Sequence, residues 1–286
     1  MKRITLMPNP YRDRGFQFTL EAQRILREHG AQTQVCLPFH VEKGFTIPEE
    51  MRFVTMEEAF RDCDMMICFG GDGTILHAAR LVGSRDIPML GVNTGTMGFM
   101  AELESNELEL LPRVLETEVP CEERMMIHVA VKRDGRVIYE DNALNDAVIT
   151  KGAVARVIQL TLTCDGVEAM HFDGDGIIIS TPTGTTAYSM SAGGPIVEPT
   201  ARNIIATPIC AHAIGIRSLV LMPDRVVTAH VGRIGKRNAF LSVDGGKAVK
   251  LCAEDQVVVT TSRRTVRLAK IKNVSYYSTI NQKFQR

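Results

Sequence analysis

Over the first 120 or so residues, short apolar runs alternate with amphipathic stretches. The runs at 3–7, 32–37, 65–69 and 89–92 have the length and β-rich composition of buried strands. Between the first two, Leu20, Ile25 and Leu26 among polar neighbours predict a helix that Gly30 ends. Thr55-Met56-Glu57-Glu58 has the form of a capping box, which predicts a second helix start. Residues 74–82 predict a third helix, joined to the 65–69 strand by Gly70-Gly71-Asp72-Gly73. This alternation is the pattern of βαβ units around a parallel sheet. Residues 38–50, with two prolines and a glycine, predict a long irregular connection.

From about Arg124 the pattern changes to strands punctuated by Asp-Gly pairs at 134–135, 165–166 and 244–245. The runs 126–132, 157–163 and 257–261 have sheet periodicity, so a mainly antiparallel β domain is expected. The small-residue stretch 183–194 fits a loop entering a short helix, and the tail 275–286 is too mixed to assign. The fold class expected is therefore α/β plus all-β. The expected domains are 1–120 and 121–286, with 267–286 a candidate to return to the first.

Composition narrows the function. Lys plus Arg and Asp plus Glu are both 33, so the formal net charge is zero and no basic excess is left to grip a phosphate polymer. Aromatics are 6% and tryptophan is absent, which argues against base stacking on a single strand. No nucleic-acid partner is expected. No apolar run approaches the roughly 18 residues of a membrane span, so no membrane partner is expected either. The seven cysteines are scattered, with no C-x-x-C pair, which fits reduced thiols in a soluble cytoplasmic protein.

Four stretches could carry chemistry. In Gly70, Gly71, Asp72, Gly73 and Thr74, glycines at a strand-to-helix turn let backbone N–H groups approach an anion. A carboxylate beside bound phosphate is repulsive unless it binds metal or takes a proton from an attacking hydroxyl, which makes Asp72 a candidate general base. A plain turn with aspartate as turn former fits the same residues. A second glycine cluster, 91–99, follows the next strand, where strand ends build a crevice. Asn145-Asp146 could grip the two hydroxyls of a ribose or be an ordinary Asx pair, and Asp173 and Asp175 would share one strand face. In 181–195, small hydroxyl residues and glycines offer donors without bulk, and Tyr188 a flat face. No Walker-type loop, G-x-G-x-x-G after a strand, G-x-S-x-G or S-x-x-K is found. His212 and Arg217 fit either site or structural roles.

With these stretches assembled, the sequence resembles the NAD kinase family over most of its length. The family's GGDGT is residues 70–74, its N-x-G-x-x-G-F is 93–99, its Asn-Glu/Asp pair is Asn145-Asp146, and its long signature runs from Asp175 to Ile196. GGDGT also occurs in diacylglycerol-kinase-like and phosphofructokinase-like proteins, whereas the long signature is highly specific.

The resemblance implies a Rossmann-like N-terminal domain, a C-terminal β-sandwich-like domain, and the dinucleotide held between them in a homo-oligomer, a dimer or tetramer. It implies transfer of the γ-phosphate of ATP to the 2′-hydroxyl of the adenosine ribose of NAD, giving NADP and ADP, with a divalent ion such as Mg2+. Asp72 would take the proton, and Gly70, Gly71, Gly73, Thr74 and His77 would line the phosphate side. NAD would be met by Asp72, Gly73, His77, Phe99, Asn145, Asp146, Arg156 and Asp175. Thr186, Ala187, Tyr188, Ser189, Met190 and Ser191 would complete its pocket, with Asp173 at the rim. Two departures concern ligand binding: Asp173 stands where many members have arginine, and Asp244-Gly245-Gly246 lacks the amide of the family's Asp-Gly-Gln. A lipid or sphingoid kinase of the same superfold would need an acyl channel. A non-catalytic NAD(P)-sensing module would gain nothing from Asp72.

Overall fold

The computed structural model describes residues 1–37, 47–49, 51–83, 85–95, 98–152, 156–213, 215–232 and 238–285. Of the predicted irregular connection, 38–46 and 50 lie outside the described residues. The chain divides into two compact units, Met1–Glu123 with Val266–Arg286, and Arg124–Thr265.

The first unit contains β1 (Arg3–Pro8), α1 (Gln17–Glu28), β2 (Gln32–Cys36), β3 (Phe53–Val54), α2 (Met56–Phe60), β4 (Met65–Gly70), α3 (Asp72–Val82), β5 (Met89–Asn93) and β6 (Leu103–Glu104). Its strands pair in parallel in the order β5-β4-β1-β2-β3, with Ile4 opposite Met65 and Ile67 opposite Leu90. Every residue of β4 is buried, which is why its sequence is an unbroken apolar run and not an alternation. Ile4, Leu6, Ile67, Phe69 and Leu90 pack with Ala22 and Leu26 of α1. The N-cap residue of α1 makes no capping bond, and Asp13 supplies one instead, accepting from the Phe18 and Thr19 amides at 3.0 Å each. The capping box at Thr55 and Glu58 forms as its sequence predicts.

One expectation is corrected. Helix α3 begins at Asp72, two residues before the predicted 74, because extended Gly71 serves as N-cap and the helix starts inside the glycine turn.

The second unit is built from β7 (Cys121–Arg133), β8 (Arg136–Ala143), β9 (Asp146–Lys151), β10 (Ile158–Cys164), β11 (Val167–Gly174) and β12 (Gly176–Ser180). A 3-10 turn, Thr183–Thr186, leads into α4 (Tyr188–Ser191). There follow β13 (Ile204–Ile209), β14 (Leu219–Leu221), β15 (Val227–Val231), β16 (Ala239–Val243), β17 (Val249–Leu251) and β18 (Gln256–Ala269). One antiparallel sheet has the order β14-β13-β12-β9-β16-β17. In the other, β11-β10-β15-β18 pair in sequence and β7 pairs with both β18 and β8. Val129, Leu160 and Phe172 of one sheet meet Ile149, Ile177 and Leu241 of the other in a single core, a sandwich. At all three Asp-Gly turns both residues have positive φ, from 47° at Asp244 to 82° at Gly166. That is the twist a two-residue hairpin requires.

The chain then re-enters the first unit, where Leu268 pairs with Met89 and a last helix, α5 (Tyr276–Phe284), is capped by Ser275. Glu102 anchors this return. Its Oε1 accepts from the Ile271 and Lys272 amides at 2.8 and 2.6 Å, and its Oε2 pairs with Lys270. Among the described residues no helix is long and apolar enough to cross a membrane.

Glu102→Ala is expected to cost about 3 kcal/mol, because three donors lose a buried charged acceptor at once. Urea denaturation measures this, and a loss below about 0.5 kcal/mol, the range of an ordinary surface substitution, would show that the anchor carries no stability.

Candidate active site

The glycine turn at the end of β4 is shaped by its side chains. A Cβ at Gly70 would fall 2.1 Å from Thr74 Oγ1, so only glycine lets that threonine fold back, where it accepts from Asn9 Nδ2 at 3.1 Å. A Cβ at Gly71 or Gly73 would meet nothing within 4 Å. Open space therefore lies over the first turn of α3, where helix N–H groups and the dipole favour an anion. His77 is half-buried one turn beyond Gly73.

Asp72, the first residue of α3, is half-buried and fixed from the second glycine cluster. Its Oδ2 accepts from Phe99 N–H at 2.8 Å and its Oδ1 from Met100 N–H at 3.1 Å. A Cβ at Gly98 would lie 2.0 Å from Oδ1, so the close approach requires glycine there. Asn93, buried at the end of β5, closes an Asx turn by accepting from Gly95 N–H at 3.2 Å and donates to Glu104 Oε2 at 2.7 Å. Thr96 and Met97 of this cluster are outside the described residues. The two glycine motifs thus make one arrangement, a carboxylate with fixed orientation beside an open helix N-terminus.

In the second unit the Asn145-Asp146 pair is set by Asp244. Asp244 Oδ2 accepts from Leu144 N–H at 2.8 Å, and its Oδ1 from the Asn145 and Asp146 amides at 2.8 and 3.0 Å. The sequence marks Asp244 as a hairpin turn residue and as the start of an altered Asp-Gly-Gln, but not as the anchor of Asn145-Asp146, since these partners lie about 100 positions away. Burial pushes the Asp146 carboxyl up to about 7, and the neighbouring Asp244 charge adds to the rise. Asn145 Oδ1 is buried with no hydrogen-bond partner among the described residues, as is Ser180 Oγ. Ser180 lies opposite Asp146 in the β12–β9 ladder. An unpartnered buried amide oxygen calls for a ligand donor or water.

The stretch 181–195 folds against this pair. Thr181 N–H donates to Asn145 O at 2.9 Å, and a Cβ at Gly184 would fall 2.1 Å from the same oxygen. Most of its hydroxyls are engaged within the protein, which corrects the expectation that they serve as free donors. Thr181 Oγ1 donates to Leu144 O at 2.5 Å, Thr185 Oγ1 to Pro182 O at 2.6 Å and Thr186 Oγ1 to Thr183 O at 3.3 Å, while Ser189 Oγ and Thr207 Oγ1 share a bond of 2.9 Å. Tyr188 and Ser191 remain exposed, with Ala187 and Met190 half-buried.

The expected common strand face of Asp173 and Asp175 does not form. The chain bends at Asp175 between β11 of one sheet and β12 of the other, which breaks the alternation. Asp173 is exposed, whereas Asp175 Oδ1 pairs with Lys151 Nζ at 2.6 Å, a partner the sequence reading missed. Arg156, His212 and Arg217 are exposed. A cavity of 510 Å³ lined by His128, Glu140, Asn142, Ser262, Arg263 and their neighbours contains none of the residues singled out from sequence. Its wall mixes both signs of charge, and neither Asn145 nor Ser180 opens into it.

A parallel α/β unit with an acid at an open helix N-terminus, joined to an antiparallel unit that presents a buried Asn-Asp pair, defines a two-domain phosphotransferase. Residues 5–119 match the ATP-NAD kinase N-terminal domain and 144–271 the ATP-NAD kinase C-terminal domain. The chain belongs to the NAD kinase family, and it is an enzyme with NAD kinase activity. The NAD kinase of Ruminiclostridium cellulolyticum is 34% identical over 284 residues, covering 99% of this chain and 98% of that protein. That of Natranaerobius thermophilus is 37% identical over 284 residues, with the same coverage of 99% and 98%. The structure of yeast NADH kinase complexed with NADH has the same fold, with a TM-score of 0.86 at 24% identity over 100% of this chain and 88% of that one. An NAD kinase from Archaeoglobus fulgidus in complex with ATP gives 0.75 at 22% identity, covering 99% and 98%.

The raised Asp146 value has a signed consequence for stability. An unfolded aspartate titrates near 3.9, so the folded state binds the extra proton, and the stability this group contributes is full below about pH 4 and lost as pH rises through about 7. Asp146→Asn is expected to flatten the fall in melting temperature between pH 5 and 8. Parallel wild-type and variant curves would show that Asp146 is ionised throughout.

Proposed function

We propose that the first unit is the phosphate-donor domain and the second the NAD-binding domain, and that the γ-phosphate of ATP passes to the 2′-hydroxyl of the adenosine ribose of NAD. Asp72 is the general base. The single observation that carries this role is the pair of bonds from Phe99 and Met100, which turn the carboxylate to a fixed orientation at the head of α3 and leave each oxygen a further lone pair. Taking the hydroxyl proton as the oxygen attacks avoids a high-energy alkoxide. Backbone N–H groups at Gly71, Asp72 and Gly73 receive phosphate oxygens over the open first turn of α3, with Gly70 and Thr74, whose amide donates to Gly71 O at 2.8 Å, shaping the turn.

Asn145 and Asp146 bind NAD hydroxyls, and the unpartnered Asn145 Oδ1 supports that assignment. Gly73, His77, Phe99, Asp175 and residues 186–191 complete the NAD contacts in this proposal, while exposed Arg156 and Asp173 contribute only at its rim. Among the described residues no three His, Cys, Asp or Glu side chains gather as a metal-holding group. A divalent ion such as magnesium, bound with the ATP, would supply charge neutralisation for the transferred phosphate. The seven free thiols support a reducing, cytoplasmic setting, and the enzyme works as a homo-oligomer.

Asp72→Asn is expected to lower kcat by about 10² to 10⁴ in a coupled assay of NADP formation, with NAD affinity nearly unchanged. Near-normal turnover would remove the general-base role. By calorimetry, Asn145→Ala is expected to weaken NAD binding by about 1 to 3 kcal/mol. Unchanged affinity would take Asn145 out of the site.

A further inference from the structure

The C-terminal helix α5 has a patterned inner face. Tyr276, Thr279, Ile280 and Lys283 are half-buried, whereas Tyr277, Ser278, Asn281, Gln282, Phe284 and Gln285 are exposed. The half-buried positions fall at i, i+3, i+4 and i+7, the stripe by which a helix docks on its own fold. The last of them is a lysine. Its ammonium lies 4.0 Å from the centre of the Phe99 ring, within the range of a cation–π contact. Lys283 also stands in the last turn of α5, where the helix dipole favours a cation.

Phe99 joins two contacts. Its ring carries Lys283, and its backbone N–H donates to Asp72 Oδ2 at 2.8 Å. The loop that bears it is tied at its start by the Asn93 turn and at its end by Glu102 N–H to Gly91 O at 2.9 Å. Between those ties, Gly98 has no side chain to anchor it, and the contact between Gly98 and Asp72 tolerates no added atom. Among the described residues of this span, the buried Met100 side chain and the Phe99 ring under Lys283 are what the loop has to hold its two Asp72-facing amides in place.

We infer that Lys283 is a positioning residue for phosphoryl transfer. Its ammonium on the Phe99 ring fixes the amides of Phe99 and Met100, which in turn aim the Asp72 carboxylate. The inference rests on Asp72 being the general base. It makes the C-terminal helix part of the catalytic apparatus by way of Phe99.

The test is steady-state kinetics on the full chain with NAD, ATP and magnesium. Lys283→Met is expected to lower kcat roughly two- to tenfold with little change in KM for ATP, and Lys283→Arg, which keeps a cation on the ring, to restore it. In a Phe99→Leu background, Lys283→Met is expected to have no further effect on kcat. Melting temperatures of all variants show whether each is folded. A folded Lys283→Met with wild-type kcat, or an equal loss in Lys283→Arg, overturns the inference. An additive loss in the Phe99→Leu background overturns it as well. Asp72→Asn, assayed alongside, separates the two levels: an active Asp72→Asn defeats the general-base role itself, whereas an inactive one with a normal Lys283→Met defeats only the part given to Lys283.

Discussion

A carboxylate removed from water must be surrounded by donors, and in this protein the donors are largely backbone amides from another part of the chain. Asp72 draws in Phe99 and Met100, Asp244 draws in residues 144–146, and Glu102 draws in Ile271 and Lys272. Asp255 differs in kind: it accepts from the Cys252 amide three residues back and from the Arg133 guanidinium. Asp72 and Glu102 thus staple segments that share no regular hydrogen-bond ladder, whereas Asp244 and Asp255 tie down the ends of strands that do pair. The loops that carry the proposed chemistry are irregular and polar, and apolar packing alone could not orient them. Charge-assisted bonds to the main chain orient them directly.

The same economy explains the small residues of the motifs. Gly70, Gly98 and Gly184 are not at left-handed backbone positions; each is small because a neighbouring group occupies the space of its Cβ. Their neighbours are Thr74, Asp72 and Asn145, so every one of these glycines presses on a residue of the proposed site. The hydroxyls of Thr181, Thr185 and Ser189 are likewise directed inward, to hold the turn that backs Asn145. A signature that reads as a row of ligand donors is largely the mounting for a few.

What was legible in the sequence was local. The all-apolar β4, the capping box at Thr55 and the Asp-Gly hairpins are encoded within a few residues, and each formed. Asp72 and the Asn145-Asp146 pair could be picked out because their motifs are contiguous. Three features were not legible. The partners of Asp244 lie about 100 residues away, and the Lys151–Asp175 pair depends on how two strands are registered. Helix α5 docks by a face of mixed polarity, Tyr, Thr, Ile and Lys, that no hydrophobic periodicity announces. The error over Asp173 and Asp175 has the same origin, since strand alternation was carried across a bend where the chain changes sheets.

The first unit is interrupted in sequence, and this bears on its synthesis. Glu102 leaves the ribosome 169 residues ahead of the amide it must accept from, and Met89 even further ahead of its last strand partner, Leu268. At roughly 5 to 20 residues per second, the nascent α/β unit waits on the order of ten to thirty seconds with the Met89 end of its edge strand unpaired and a carboxylate without its donors. The inserted β unit emerges during that interval and can fold first. Closure of the first unit then has to follow the β unit, because the partners of Glu102 and Met89 are encoded after it.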